Sequence, residues 1–296
     1  MPHSSRILRR LPTAHGELPL CASGLVMAIL NVTPDSFSDG GRYPGVESAV
    51  ERAVELQAAG AELIDIGGES TRPGSSGVTD EEQVARVVPV IAGARAAGVS
   101  VPISIDTRSA LVAEAALDAG ADIVNDVSSA RHDPDMIGLL VRRQPVFIAM
   151  HMQGTPESMQ QAPHYNDVVA EVFAFFQERT QVLRESGFDV ASRLLVDPGI
   201  GFGKTLDHNL ALIRNAASVF GGLWPVVIGV SRKRCIGELL GEQNPSAPGA
   251  AASESRQVGS AAAALWLIQS GCDIVRVHDV RMVCTMRAIW RAIRGR

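Results

Sequence analysis

Acidic, amide and basic side chains stand at the ends of eight short apolar runs, and these are the residues whose chemistry could define a site. In chain order they are Asn31, residues 69–72, Asp106, Asn125 with Asp126, His151, Asp197, residues 231–233, and Arg276 with His278. One polar residue after a strand is common. Eight in succession would converge on the same edge of a parallel sheet. The pattern therefore predicts a binding or catalytic site built from strand ends.

Residues 197–204 place the carboxylate of Asp197 directly after an apolar run and follow it with three glycines. Two glycine motifs are excluded. A phosphate-cradling loop needs glycine where Pro198 stands, and the dinucleotide fingerprint needs glycine where Lys204 stands. Glycines keep the backbone thin, so a flat group could lie against this loop. An acidic anchor at the mouth of an α/β fold and a plain Asp-Pro-Gly turn both fit this stretch taken alone.

Asp106, Asn125 and Asp197 form a set that could hold a flat heterocycle. A 2-aminopyrimidinone ring has an edge with two donors, which a carboxylate can accept in a fork. An asparagine supplies one acceptor and one donor to neighbouring ring atoms. The alternative is that an acid caps the next helix, and the sequence Asp-Thr-Arg-Ser at 106–109 fits that interpretation of Asp106 well.

A basic group follows the last two apolar runs. Arg276 and His278 alternate with two valines, so both polar side chains should point into the mouth of the sheet. A buried arginine without a partner is costly, which favours an anion or a flat ring beside it. Together with Lys233, these residues suit an anion such as pyrophosphate. A solvated basic rim is the interpretation for Arg234 and Arg281.

Two long polar segments, residues 31–41 and 69–76, follow the first two runs. Long connections at this edge often act as covers that close over a substrate. Asn31 could give Mg²⁺ a neutral oxygen ligand where phosphates supply most of the coordination. On spacing alone, a turn residue is the preferred interpretation of Asn31, because Thr-Pro-Asp close behind it is good turn chemistry.

The elements that must position these residues alternate regularly. Apolar runs at 26–30, 63–66, 102–105, 122–124, 146–150, 194–196, 226–230 and 274–277 are separated by stretches of helical periodicity. We expect an α/β protein with a (β/α)8 TIM barrel in a single domain at residues 23–296, preceded by a tail or edge element at residues 1–22. An open doubly wound sheet of this many units would be unusually wide.

Composition limits the class of protein. The net charge of −5 argues against nucleic acid as the main partner. The longest apolar stretch, 261–268, is too short to cross a membrane. The four cysteines lack metal-ligand or disulfide spacing, so we expect a reducing, cytoplasmic location. No hydrolase triad is visible, because Ser231 lacks the Gly-x-Ser-x-Gly elbow, and His151, His164 and His208 fit packing or capping roles.

The motifs resemble the signature set of bacterial dihydropteroate synthases. They lie at 31–41, 69–75, 105–107, 125–126, 197–204, 231–233 and 276–280, in order along the chain. Members of that family join 4-aminobenzoate to the pyrophosphate ester of 6-hydroxymethyl-7,8-dihydropterin in folate biosynthesis. They are usually homodimers and are sulfonamide targets. The resemblance implies a transferase whose cofactor is Mg²⁺ and whose partners are these small-molecule substrates.

The resemblance also implies a role for each site residue. The pterin ring would contact Asp106, Asn125, Met150, Asp197, Gly229, Lys233 and Arg276. The pyrophosphate would contact Asn31, which also reaches Mg²⁺, together with Arg276 and His278. The aminobenzoate would lie near Thr71, Arg72, Pro73 and Ser231. Catalytic roles would fall to Asp106, Lys233, Arg276 and His278, with pyrophosphate leaving first and the arylamine attacking a pterin cation stabilised by Asp106.

Two other hypotheses share part of this pattern. A pterin-binding methyltransferase domain would have the acidic pocket but no need for the basic motifs around Lys233 and Arg276. A non-catalytic paralogue that only binds pterin tends to lose the two loop motifs, which are intact here. One local departure is the segment 253–260, which differs from the Glu-Arg-Leu-x-Gly-Ser run expected in the family. This difference concerns a loop and the dimer surface rather than the site.

Overall fold

The computed structural model describes residues 9–32, 44–69, 78–155, 158–247, 250 and 253–294. Within these ranges the chain forms an antiparallel hairpin followed by parallel strands that alternate with helices. None of the helices in the described ranges is long and apolar enough to cross a membrane.

Each predicted apolar run overlaps one strand of the observed sheet. The hairpin strands are β1 (Arg10–Thr13) and β2 (Gly16–Pro19). The parallel strands are β3 (Leu25–Asn31), β4 (Leu63–Gly67), β5 (Ile103–Asp106), β6 (Ile123–Asp126), β7 (Val146–Met150), β8 (Leu194–Asp197), β9 (Val227–Gly229) and β10 (Ile274–Val277). The helices are α1 (Pro44–Ala58), α2 (Asp80–Ala96), α3 (Ala110–Asp118), α4 (Met136–Arg143), α5 (Val168–Glu185), α6 (Val190–Arg193), α7 (Leu206–Val219), α8 (Arg234–Leu239), α9 (Glu254–Ser270) and α10 (Val280–Ile293).

The parallel sheet closes into a barrel. Its strand order is β8-β7-β6-β5-β4-β3-β10-β9. An isolated parallel bridge between Val196 and Val226 joins the two end strands, and the amide of Val196 donates to the carbonyl of Pro225 at 3.0 Å. Strands such as β4 and β7 are buried along their whole length, because helices cover the outside and side chains fill the inside. The prediction of a (β/α)8 TIM barrel is confirmed.

The hairpin closes the end of the barrel at which the strands begin. Leu11, Leu18 and Leu20 are buried there against the first residues of several barrel strands. The backbone amide and Nδ1 of His15 contact Oδ1 of Asp122 at 3.1 and 2.8 Å. Within the tail or edge element expected at residues 1–22, residues 10–19 form this packed hairpin. Its two four-residue strands are too short for their alternation to stand out in the sequence.

Helix caps decide one of the alternatives left open by the sequence. Ser109 caps α3, with its hydroxyl accepting from the amide of Val112 at 3.3 Å. Asp106 ends β5 and is not the cap of this helix. At α7, Thr205 and His208 form a reciprocal capping box, which confirms the capping role predicted for His208.

Candidate active site

The register of the sheet brings the predicted polar strand ends to one level. Across β4, β5 and β6, Gly67 pairs with Asp106, and Asp106 pairs with Asn125. On the other side of the barrel, Met150 of β7 pairs with Asp197 of β8. Gly229 and Arg276 are partners on β9 and β10. The predicted contacts Thr71, Arg72 and Pro73 lie outside the described residues.

Arg276 is the centre of the charge cluster in this mouth. Its Nη2 donates to Oδ2 of Asp106 at 2.7 Å, and its Nε donates to Oδ2 of Asp65 at 2.5 Å. Burial disfavours the cation, but Asp65 and Asp106 outweigh that effect and raise the pKa of Arg276. The guanidinium therefore stays charged and is held in place from two sides.

Asp65 is a site residue that the sequence interpretation missed. It lies within β4, is fully buried, and accepts from Nδ2 of Asn125 at 3.2 and 3.4 Å as well as from Arg276. The signal was present as a single carboxylate inside the apolar run Leu-Ile-Asp-Ile at 63–66. A buried carboxylate is costly unless it is paired, so its presence in a core strand pointed to a partner across the barrel.

Asp106 has an unusual electrostatic environment. Burial raises the pKa of its carboxyl to about 7, with Arg276 opposing the shift and the negative charge of Asp65 adding to it. Its Oδ1 is buried and has no hydrogen-bond partner among the described residues. An oxygen of this kind can accept a hydrogen bond from a ligand or stabilise a nearby positive charge.

Asp197 and Lys233 interact electrostatically on the opposite side of the mouth. Oδ1 of Asp197 accepts from the amide of Gly199 at 2.7 Å. Burial raises the pKa of Asp197, and the charge of Lys233 opposes that rise. Burial also lowers the pKa of Lys233 to about 8, against the attraction of Asp197. The Lys233 ammonium donates to the carbonyl of Ile200 and lies 4.8 Å from the centre of the Phe202 ring.

Two of the three glycines in the loop 198–204 lie against the segment that follows β7. Gly199 has a φ of +71°, and a Cβ there would lie 1.9 Å from the carbonyl oxygen of His151. Gly203 has a φ of +64°, and its Cβ would lie 2.6 Å from the carbonyl oxygen of Gln153. The thin backbone at these two positions admits the segment that follows β7.

Lys204 connects the loop after β8 to the segment after β7. Its ammonium lies 3.0 Å from Nδ1 of His151 and donates to the carbonyl of Phe202 at 2.9 Å. Burial lowers the pKa of Lys204 to about 7. Burial and the Lys204 charge lower the pKa of His151 to about 3, so the imidazole is neutral. His151 also packs edge-on against Phe175 at 4.9 Å, which confirms a packing role.

Within the basic motif 231–233, the three side chains have separate partners. The hydroxyl of Ser231 accepts from the amide of His278 at 3.2 Å and lies 3.0 Å from its Nδ1. Arg232 binds both carboxylate oxygens of Asp279 at 2.7 and 3.2 Å. Arg232 thus links the ends of β9 and β10, and it is Lys233 that faces Asp197.

Two small or apolar residues shape the mouth between these charges. A Cβ at Gly229 would lie 3.7 Å from Cβ of Arg276 and 3.8 Å from Nζ of Lys233, so glycine leaves room between the two cations. Met150 is buried, and its carbonyl accepts from the Ser129 hydroxyl at 2.8 Å. Both positions fit a wall beside a flat group.

The mouth can also be tested as a site for Mg²⁺. Asn31 ends β3 at the same level as Gly67. In the described ranges no group of three or more His, Cys, Asp or Glu side chains is placed to hold a metal ion. Mg²⁺ keeps few protein ligands when phosphates supply oxygens. Asn31 supplies an amide at this level of the mouth, and its oxygen is a neutral ligand of the type that Mg²⁺ accepts.

The family described as pterin binding enzyme matches residues 27–278. The dihydropteroate synthase of Neisseria meningitidis serogroup B is 44% identical over 274 residues, covering 90% of this chain and 92% of that protein. The enzyme of Bacillus subtilis is 43% identical over 270 residues, covering 91% and 88%.

Solved structures agree over nearly the whole chain. Xanthomonas albilineans dihydropteroate synthase with 4-aminobenzoic acid has a TM-score of 0.87 at 42% identity, covering 98% of this chain and 99% of that one. The same enzyme with 7,8-dihydropteroate has a TM-score of 0.83 at 40% identity, covering 97% and 99%. The Yersinia pestis enzyme with a sulfonamide drug has a TM-score of 0.85 at 38% identity, covering 97% and 100%. The chain belongs to the dihydropteroate synthases, within the family of pterin-binding enzymes.

Proposed function

We propose that this transferase condenses 4-aminobenzoate with the pyrophosphate ester of 6-hydroxymethyl-7,8-dihydropterin, giving 7,8-dihydropteroate and pyrophosphate in folate biosynthesis. The observation that carries the proposal is the division of charge in the mouth. Asp106, Asn125 and Asp197 offer hydrogen-bonding groups for a pterin, and for a pyrophosphate Arg276 offers a cation and His278 an imidazole ring. The solved relatives bind 4-aminobenzoic acid and 7,8-dihydropteroate.

Pterin recognition follows from the donors and acceptors of the ring. The edge formed by N3–H and the 2-amino group has two donors, and it matches the carboxylate of Asp197. The edge formed by N1 and N8–H of a dihydropterin has an acceptor beside a donor, and it matches the amide of Asn125. Lys233 beside Asp197 supplies a donor for the ring carbonyl, and Met150 and Gly229 form walls beside the ring.

Bond breaking comes first in the proposed reaction. The bond between the exocyclic methylene carbon and the pyrophosphate oxygen breaks, and both electrons leave with pyrophosphate. Arg276 and His278 stabilise that departing charge. The positive charge left on the carbon spreads into the dihydropterin ring. Asp106, whose Oδ1 has no hydrogen-bond partner among the described residues, stabilises this cation electrostatically.

The amino group of 4-aminobenzoate then forms the new C–N bond and loses its proton to water or to the pyrophosphate. An arylamine is a weak base, so this step needs no strong base from the protein. Thr71, Arg72, Pro73 and Ser231 are the proposed contacts of the aminobenzoate. A sulfonamide resembles that substrate, and we propose the same region as its binding site by analogy with the Yersinia pestis complex.

Mg²⁺ is the proposed cofactor, held by pyrophosphate oxygens and Asn31, and its chemistry would be to neutralise the leaving group. Chelation by excess EDTA should abolish turnover, and added Mg²⁺ should restore it. Calorimetry with pyrophosphate alone gives a second readout. Pyrophosphate affinity should rise with Mg²⁺ in the wild type and respond less in Asn31→Ala. Equal responses in the two proteins would remove Asn31 from the metal site.

The proposed activity has a direct test. The protein is mixed with the pterin pyrophosphate, 4-aminobenzoate and Mg²⁺, and both pyrophosphate release and 7,8-dihydropteroate formation are measured. We expect the two products in equal amounts. Pyrophosphate release without dihydropteroate would indicate hydrolysis. No release in the presence of all three components would contradict the proposal.

A homodimer is proposed from apolar residues that remain exposed on neighbouring elements. They are Leu239 and Leu240 at the end of α8, Val258 and Trp266 on α9, and Ile289 and Ile293 on α10. Exposed apolar clusters of this kind mark interaction sites. Sedimentation should give twice the chain mass, and Trp266→Asp with Ile289→Asp should give the monomer mass. A wild-type protein that sediments as a monomer would contradict this assignment.

A cytoplasmic location is proposed from the state of the thiols. In the part of the chain that the structure describes, Cys21, Cys235, Cys272 and Cys284 form no disulfide, and the second and third are buried. Four cysteines that form no disulfide favour a reducing compartment. Fractionation of cells that express the protein at its natural level tests this, and recovery outside the cytoplasm would contradict it.

A further inference from the structure

Asp65 connects the two halves of the mouth. Its carboxylate has no exposed surface, accepts from Nε of Arg276 at 2.5 Å, and accepts from Nδ2 of Asn125 at 3.2 Å. Arg276 is the proposed contact of the pyrophosphate, and Asn125 is a proposed contact of the pterin. Asp65 therefore binds one residue from each side of the site, which stabilisation of the barrel alone does not require.

The two carboxylates that hold Arg276 differ in a way that matters for ligand binding. Asp65 has no exposure and uses its oxygens on two fixed partners. The side chain of Asp106 is 11% exposed, and one of its oxygens has no partner among the described residues. An anion entering from solvent can therefore compete with Asp106 for Arg276. It cannot reach the bond to Asp65 without opening the core.

We propose that Asp65 is a positioning residue that anchors Arg276 through Nε while Nη2 of Arg276 exchanges from Asp106 to the substrate pyrophosphate. Binding of the pyrophosphate group would then free Asp106 to face the pterin. This inference rests on the proposed function, because it assigns the anion to the substrate. It also explains why binding of the pyrophosphate group and binding of the pterin group should strengthen each other.

The geometry of the guanidinium makes the exchange feasible. Nε is attached to the side-chain stem, and Nη2 lies at the far end of a planar group with several donors. A small rotation about the terminal bonds can change the partner of Nη2 without breaking the bond from Nε. A pyrophosphate carries more negative charge than one carboxylate, so it is the stronger partner for the released nitrogen.

Asp65 also fixes the orientation of the Asn125 amide. Because Nδ2 faces a carboxylate, Oδ1 must face away from it, since the reverse orientation would set two acceptors against each other. The pterin then meets an acceptor and a donor in defined positions. Asp65 therefore prepares both halves of the site before the substrate arrives.

The test compares Asp65→Asn with a matched control, Asp122→Asn. Asp122 is also buried and also accepts from an arginine, Arg95, at 2.5 Å, but it binds the hairpin at the opposite end of the barrel. Calorimetry would measure the affinity for 6-hydroxymethyl-7,8-dihydropterin with and without inorganic pyrophosphate and Mg²⁺. Steady-state kinetics would give kcat/KM against pH.

In the wild type, pyrophosphate should strengthen dihydropterin binding by at least about fivefold, the lower range for coupled sites. Asp65→Asn should reduce this coupling to less than about twofold and lower kcat/KM by on the order of 100-fold. The acidic limb of the kcat/KM profile of Asp65→Asn should also move to lower pH. The reason is that the charge of Asp65 raises the pKa of Asp106, and this variant lacks that charge. Asp122→Asn should keep the wild-type coupling and pH profile, even where its melting temperature falls.

A second variant covers the case in which Asp65→Asn does not fold. In Asp106→Asn the competitor for Nη2 is weakened, so pyrophosphate should bind more tightly than in the wild type and coupling should fall. Wild-type coupling and an unshifted pH profile in folded Asp65→Asn would overturn the inference, as would weaker pyrophosphate binding in Asp106→Asn. These binding measurements need no turnover. Failure of the proposed activity would show separately, as absence of dihydropteroate from the wild type.

Discussion

Nη2 of Arg276 donates to Oδ2 of Asp106 at 2.7 Å, across the barrel mouth from β10 to β5. The bond joins residues that are 170 positions apart in the chain. It places a cation suited to a pyrophosphate next to a carboxylate suited to a pterin cation. Charge separation during the proposed reaction would occur between these two groups.

Replacement of Asp106 by Asn should affect turnover more than binding. The neutral amide keeps the shape of the carboxylate but loses the charge that stabilises the pterin cation. We expect kcat to fall by about 100- to 1,000-fold, the usual range for loss of one electrostatic stabiliser. The dissociation constant for 6-hydroxymethyl-7,8-dihydropterin should change by less than about tenfold. Pyrophosphate release and calorimetry measure the two quantities, and Asp122→Asn is the control. Equal losses in turnover and affinity would refute the assigned role.

The pH dependence of kcat/KM should be bell-shaped. Burial raises the pKa of Asp106 to about 7 and lowers the pKa of Lys233 to about 8. Activity requires Asp106 ionised and Lys233 protonated, so kcat/KM should fall below about pH 7 and again above about pH 8. Profiles of kcat/KM report groups of the free enzyme. Asp106→Asn should lose the acidic limb, and Lys233→Met should lose the basic limb. A flat wild-type profile from pH 5 to 9 would exclude both assignments.

Gly199→Ala should destabilise the protein far more than the same change at Gly98. Both glycines have positive φ, +71° and +90°, so backbone strain is comparable. A Cβ at Gly199 meets the carbonyl oxygen of His151 at 1.9 Å, whereas a Cβ at Gly98 has nothing within 4 Å. We expect a loss of more than about 3 kcal/mol in the free energy of unfolding at Gly199 and about 1 kcal/mol at Gly98. Urea unfolding followed by circular dichroism measures both, and similar losses would count against the close approach.

Arg256 should prove to be a structural residue. It lies in the segment 253–260, its side chain is 2% exposed, and it binds Glu242 and the carbonyl of Pro245. Arg256→Ala would remove these bonds and leave a cavity where a buried side chain packs, so we expect a loss of about 2–3 kcal/mol in unfolding free energy. Arg234→Ala is the control, because its exposed pair with Glu238 should contribute less than about 1 kcal/mol. Equal effects of the two changes on denaturant midpoints would contradict the buried role.

The strand ends were predictable because the signals are local. In a parallel barrel both faces of a strand are buried, so polar and apolar residues do not alternate along it. Eight apolar runs with polar ends nevertheless remain visible in the sequence. The (β/α)8 topology then places Asp106, Asn125, Asp197, Lys233 and Arg276 at one edge without further information. The sequence motifs alone also pointed to the family.

Partner choice across the barrel was decided only by tertiary structure. The bond from Arg276 to Asp65 joins positions 211 apart, and the contact of Lys204 with His151 joins positions 53 apart. Tertiary structure also decided the packing of the hairpin at residues 10–19 and the close approach of Gly199 to His151. Periodicity records which face of an element is buried. Which charge lies opposite another depends on barrel closure and strand register, and no local pattern in the sequence records these.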